Sequence, residues 1–248
     1  MSKTTEYHQI LRTLPDWEPY LRAESHLPGP RGNLELAQAA ADEATPEQIE
    51  RLLSYGPDIA AENTPDAFLA VCGTIALGRL LAEGNMAALP RLRELANDPR
   101  WRVRESVAMA LQRWGDADMD GLIAGIRSWA LGTPLEQRAL AAGLCEPRLL
   151  GDDKYARATL NLLNQITHSI LFIQERKTEA FQALRKGLGY CWSVAIAALP
   201  EEGKAYFKSW VNTPDPDIRW ILRENLKKNR LAKMDAVWVD RMRKVGIQ

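Results

Sequence analysis

Asp98-Pro99-Arg100-Trp101-Arg102-Val103-Arg104-Glu105 opens one apolar-periodic run of this 248-residue sequence, and Thr213-Pro214-Asp215-Pro216-Asp217-Ile218-Arg219-Trp220 opens another. A helical unit that cannot bury its apolar stripe alone stacks on a copy of itself, so internal repetition of this kind predicts an α-solenoid. Within residues 100–114, Trp101, Val103, Val107, Ala108, Ala110 and Leu111 supply the stripe, and Arg100, Arg104, Glu105 and Gln112 lie away from most of it.

Start and stop signals alternate along the chain. Thr45-Pro46, Thr64-Pro65, Thr133-Pro134 and Thr213-Pro214 each precede an apolar-periodic segment. A Thr hydroxyl accepts from orphan amides while Pro in the first turn forfeits no hydrogen bond, and Thr45 with Gln48 and Thr133 with Glu136 have capping-box spacing. Gly56, Gly84, Gly115 and Gly132 follow helical runs, where a left-handed terminating residue is commonly needed. These signals predict helices over 34–44, 46–55, 65–83, 86–97, 100–114, 117–131, 134–145, 153–174, 177–198, 201–211, 216–229 and 234–245, with no strand between them. Paired by short connections they make five or six antiparallel hairpins. The expected fold is therefore all-α, a right-handed solenoid of HEAT-like hairpins over residues 33–248. Residues 1–32 are expected to form an irregular capping segment, since Leu27-Pro28-Gly29-Pro30-Arg31-Gly32 cannot be helical. That loop is read as a cap over the first repeat, with contact to a partner or ligand as the other reading.

Composition narrows the function classes. With 46% hydrophobic and 26% charged residues and equal numbers of basic and acidic side chains, thirty-two each, the chain does not carry the net field of a protein built for non-specific attraction to nucleic acid or anionic membrane. The ends differ, however. Residues 1–70 hold five Lys or Arg against twelve Asp or Glu, and residues 219–248 hold nine against three. Cys72, Cys145 and Cys191 are odd in number and lie in apolar helical contexts, which predicts reduced thiols in the cytoplasm rather than a disulfide framework. The first residues lack the apolar core of a secretory signal, and the Gly187–Pro200 stretch is too short to span a bilayer, so no membrane partner is expected.

Asp116-Ala117-Asp118-Met119-Asp120-Gly121 imitates the opening of a calcium loop, but Arg127 stands where the bidentate Glu belongs. His8, His26 and His168 have no metal-ligand spacing, and no phosphate-binding glycine loop or dinucleotide fingerprint is present, so no metal and no cofactor are expected. His168 reads as a hydrogen-bonded interior histidine.

The repeated aromatic-plus-arginine segments carry the candidate binding residues: Trp101 and Arg104, then Arg219, Trp220 and Arg223 followed by Lys227 and Lys228. An indole stacks on a base or sugar and Arg or Lys holds the neighbouring phosphates, while the structural reading has the same residues bridging adjacent helices. At these positions the chain resembles the HEAT-like superfamily, and in three short helices it is similar to the HEAT-like bacterial alkylpurine DNA glycosylases. The resemblance sets Trp101 and Glu105 beside that family's tryptophan and catalytic aspartate, Arg138 in Leu135-Glu136-Gln137-Arg138-Ala139 beside its phosphate-binding arginine, and Trp220-Ile221-Leu222-Arg223-Glu224 beside its second DNA-facing segment. It departs from the pattern in having Glu for Asp, one Trp where two are usual, a longer interval from Arg138 to Trp220, and no net positive charge. The expectation is a non-catalytic repeat protein that binds a macromolecule on one face, a protein partner being favoured over DNA. The alternative is a DNA-binding or alkylbase-excising relative in which Glu105 is the catalytic carboxylate.

Overall fold

The structure, a computed structural model, describes residues 3–245, and among them no strand occurs. By its internal contacts the chain divides into two compact units, Met1–Asp118 and Met119–Gln248. In the first, α1 (Lys3–Thr13), α2 (Glu18–Ala23), α3 (Leu34–Glu43), α4 (Pro46–Leu53), α5 (Pro65–Ala82), α6 (Ala88–Leu95) and α7 (Trp101–Ala117) follow in order. In the second come α8 (Met119–Ile126), α9 (Pro134–Leu144), α10 (Asp153–Ser169), α11 (Glu179–Ala198), α12 (Pro200–Trp210), α13 (Pro216–Leu226) and α14 (Asn229–Lys244), with short 3-10 turns at Arg127–Leu131, Pro147–Leu150 and Ile170–Phe172.

Each unit is organised around one long buried helix. In the first, α3, α5 and α7 pack side by side while α4 and α6 lie against α5 from the other layer. Helix α5 is apolar all round, as a helix with neighbours on every side must be, and Phe68, Leu69, Cys72, Ile75 and Ala76 are all buried. Its length and composition would also suit a membrane span, but 72% of it is buried inside this unit. In the second unit α9, α11 and α13 pack side by side, α10 and α12 contact each other and α11 from the other layer, and Phe181, Leu184, Leu188 and Trp192 are buried on α11. Contact between helices two apart in the chain is the arrangement of stacked helical hairpins. Within α11 the Cys191 thiol meets that of Cys145, and burial above all, with this contact added, pushes Cys145 well above its ordinary pKa.

The capping signals translate directly. Thr45 and Thr133 close full capping boxes with Gln48 and Glu136, and Thr64 accepts from the amide of Ala67. At the fourth Thr-Pro pair the cap has moved two residues on, to Asp215, whose carboxylate accepts from the amides of Asp217 and Ile218 at 2.9 and 3.1 Å. The glycines were less informative. Gly84 alone of the four has positive φ (88°), and its amide bonds Leu81 O at 2.9 Å while that of Asn85 bonds Leu80 O at 2.8 Å, the paired closure of a helix end. Gly115 does not stop its helix, which runs on to Ala117.

Residues 3–13 and 18–23, inside the segment expected to be irregular, are helical. They are held by packing rather than by propensity: α1 packs on α3 and α2 on α5, with Leu11 and Leu21 buried. Glu43 on α3 accepts from Arg12 Nε at 2.8 Å and lies 2.8 Å from His8 Nδ1, fastening α1 in place. The Arg12 guanidinium holds Glu43 below the ordinary carboxylate range. A carboxylate with a lowered folded-state pKa contributes stability that is full above its unfolded value and is lost as pH falls through the folded one. Denaturation midpoints should therefore fall on acidification below the ordinary carboxylate range, and Glu43→Gln should flatten that part of the profile; an unchanged acid slope in the variant would exclude the Arg12–Glu43 contact as its source.

Candidate functional site

The segment that opens α7 is tied to itself. Asp98 is buried and accepts from Arg100 Nε at 2.9 Å and Nη2 at 2.7 Å, and Arg100 Nη1 donates to the carbonyls of Tyr55 (2.8 Å) and Ala60 (3.1 Å). Arg104 Nη1 donates back to the carbonyls of Asp98 and Pro99, both at 2.7 Å. Both arginines are buried, against the expectation that they lie on the outer face of their helix. For Arg104 the reason is local, since the carbonyls of Asp98 and Pro99 precede the helix and have no place in its ladder, whereas Arg100 is drawn in by Asp98 and by the distant carbonyls of Tyr55 and Ala60.

Trp101 is displaced the other way. Expected in the buried stripe, it is 46% exposed, with the Arg102 guanidinium 4.7 Å from its ring centroid. The stripe instead runs through Val103, Val107, Ala110, Leu111 and Trp114, and Trp101 falls at its margin. Positions 101, 105 and 109, with 102 and 106, share a second face of α7. That face lines a cavity of about 620 Å³, with Phe68 and Val71 of α5 and Leu34 of α3 as its other helical walls.

The loop from His26 to Asn33 completes the wall. It is pinned at several points. Asn33 donates to Glu24 O (2.9 Å) and Tyr7 Oη (3.0 Å), and its amide bonds Ser25 O (3.0 Å). Arg102 Nη2 donates to Gly29 O (2.6 Å) and Asn63 Oδ1 (3.1 Å), and the Gly29 amide donates to that same Asn63 oxygen (3.2 Å). The Leu27-Pro28 bond is cis, and Leu27 is buried. The loop thus covers apolar surface and shapes a concave site at once. Arg102 is the residue that sequence reasoning missed; its spacing of one from Trp101 gave no sign that it orders both the indole and the loop.

The remaining expected residues lie in the second unit. Trp220 is half-buried, with the Arg185 guanidinium 4.0 Å from its ring centroid and its edge against Gly189, where an added Cβ would stand 3.0 Å away. Arg185 in turn pairs with Asp217 at 2.8 Å. Arg138 on α9 lies by Gly187 of α11, so Arg138 and Trp220 contact the same helix. Arg219 is half-buried and Arg223 exposed. Lys227 pairs with Glu224 at 2.5 Å, and Lys228 stands with its Nζ 5.8 Å from the Tyr190 ring centroid. His168, expected inside, is exposed, and stacks at 5.4 Å on Phe172. The 153–174 run breaks into a 3-10 turn at Ile170–Phe172.

The calcium-like run is divided: Asp118 ends α7, while Asp120 belongs to α8 and pairs with Lys154 at 2.5 Å. No group of three or more metal-ligating side chains gathers among the described residues. No family model matches the chain, and no curated protein matches it. Of solved structures, the crystal structure of an engineered protein aligns over 99% of this chain and 98% of its own, at 13% identity and a TM-score of 0.37, a likeness too weak to carry an argument.

Proposed function

We propose that this is a cytoplasmic, HEAT-like and armadillo-like helical-repeat scaffold, its hairpins stacked in the right-handed sense, that binds a protein partner without catalysis of its own. The observation that supports this most is the half-exposed Trp101 on the lip of the first unit's cavity, steadied by Arg102 and backed by Phe68, Val71 and Met109. A large, rigid, partly exposed indole beside a concave apolar surface is the composition of an interface hot spot. Leu34, 53% exposed on the same cavity, extends that surface.

Because nearly half of the Trp101 surface is already in water, Trp101→Ala should cost about 1–2 kcal/mol of stability rather than the full penalty of a buried ring. A photo-crosslinker at Leu34 should give one discrete protein adduct in cells, lost in Trp101→Ala although that variant stays folded, with a melting temperature lowered by only a few degrees. A loss of stability matching that of a core tryptophan, with no adduct in either form, would sink the reading.

One observation favours the alternative reading: Trp101 and Glu105, the pair singled out by the glycosylase resemblance, line the same cavity. Against it, Arg104 spends donors on backbone carbonyls, and transition-state stabilisation needs a carboxylate held within a fraction of an ångström, which a Glu one methylene longer does not meet in an unadapted site. Duplex DNA carrying 7-methylguanine or 3-methyladenine should therefore release no base above the uncatalysed rate. Release abolished by Glu105→Gln would overturn the non-catalytic reading.

A further inference from the structure

A second concave site lies in the second unit and is unrelated to Trp101. Its floor is built by helical spacing: Tyr190, Val194, Ala197 and Ala198 fall on one face of α11, and Leu150 of the neighbouring 3-10 turn packs beside them. Its rim is the turn from α13 into α14, with Lys227 and Lys228, and the start of α14, with Arg230 and Lys233. The cavity measures about 660 Å³, and no acidic residue lines it. Arg230 donates to the Tyr190 hydroxyl and lies 4.7 Å from its ring centroid, which fixes both side chains. Lys227 is held by Glu224, but neither Lys228 nor Lys233 has a carboxylate within ion-pairing distance among the described residues.

We propose that this cavity binds a small organic phosphate, a phosphate or pyrophosphate group carried on an apolar or aromatic ring. Lys228 and Lys233, the two rim cations with no carboxylate partner among the described residues, together exceed what one carboxylate, with its single charge, neutralises, whereas a phosphoryl group offers up to two charges and three acceptors. The apolar floor and the Tyr190 face accommodate the body of such a molecule, and inorganic phosphate alone leaves them unused. The size falls within the roughly 300–1,000 Å³ of small-molecule sites. The sequence pattern shows only a basic C-terminal run; the aromatic floor beneath it comes from a helix about forty residues earlier.

Calorimetric titration of the full chain with ADP as probe should show saturable one-site binding that weakens with added salt. Adenosine should fail to bind and inorganic pyrophosphate should bind more weakly than ADP. Lys228→Ala with Lys233→Ala should weaken ADP by about tenfold or more, as expected for the loss of charge-assisted hydrogen bonds, without altering the thermal melt, since both side chains reach solvent. Tyr190→Phe, which keeps the ring, should bind ADP more tightly than Tyr190→Ala. Absence of saturable ADP binding, or affinity unchanged in the double-lysine variant, would overturn the assignment. So would a short DNA duplex that binds more tightly than ADP and is lost with the same lysines, which would make the rim a nucleic-acid contact instead.

Discussion

Replacing Asp98 with alanine is expected to cost the first unit about 3–5 kcal/mol, among the largest effects available to a single polar substitution in this chain. The carboxylate and the Arg100 guanidinium are about 5% and 4% exposed, and the bond between them is 2.7 Å. Asp98 also receives the Arg100 amide at 2.8 Å, so one side chain neutralises a buried cation and fixes the backbone just ahead of α7. Truncating it leaves Arg100 charged, desolvated and bonded only to the carbonyls of Tyr55 and Ala60. The penalty is for stranding the cation, not a measure of the net worth of the pair, and this distinction can be tested. Arg100→Met on the Asp98→Ala background should recover part of the loss, whereas two independent contributions would add. A denaturation midpoint for Asp98→Ala within about 0.5 kcal/mol of the parent would refute the clamp, since that is the range of an ordinary surface change.

The same segment explains which parts of this molecule its sequence discloses. Local rules were read correctly where the physics is local: a Thr hydroxyl accepts an amide three residues on, so Thr45, Thr64 and Thr133 could be recognised from neighbours alone. Helix α5 announced its burial by having no polar face. By contrast, the partners of Arg100 include carbonyls forty and forty-five residues earlier, and nothing in Asp-Pro-Arg-Trp-Arg indicates that they will be there. Periodicity ranks Trp101 with the core and the two arginines with the surface because it weighs residue type before position; just ahead of a helix, where the carbonyls of Asp98 and Pro99 lie outside the helical ladder and accept from Arg104, that order inverts. The N-terminal helices were hidden for a related reason. Propensity and a Pro-rich neighbourhood argue against order there, and the stabilising contacts come from α3 and α5.

Candidate sites were less legible than the fold. The pairing of Trp101 with Glu105 comes from the resemblance, whereas periodicity sets Trp101 in the buried stripe and Glu105 away from it; in the structure both line one cavity. The loop that walls that cavity, Arg102 that holds it, and Tyr190 beneath the basic rim all depend on elements distant in sequence. In a charge count along residues 219–248 the basic residues stand together, yet their partners separate them: Lys227 is bound to Glu224 and Arg230 to Tyr190, while Lys228 and Lys233 are left facing the cavity. A charge count along the sequence carries no information about which charges are already spent.

The second large effect is expected at Gly78, where alanine should destabilise the first unit by about 3 kcal/mol, at the upper end for overpacking. A Cβ placed there would stand 2.3 Å from the carbonyl oxygen of Ala110 and 2.5 Å from its Cα. Those are backbone atoms of α7, which cannot rotate away as a side chain could, so relief requires α5 and α7 to separate along the contact that organises the unit. Gly84 is the informative control, because it is special for the opposite reason. Its φ of 88° is unfavourable for an L side chain, but nothing lies within 4 Å of an added Cβ. Gly84→Ala should therefore cost only the backbone strain, about 1–2 kcal/mol, and should leave the α5–α7 packing intact. Paired denaturation of the two variants separates steric from conformational demand. If Gly78→Ala proved no more damaging than Gly84→Ala, the close approach of α5 to α7 could not be what Gly78 is there to permit.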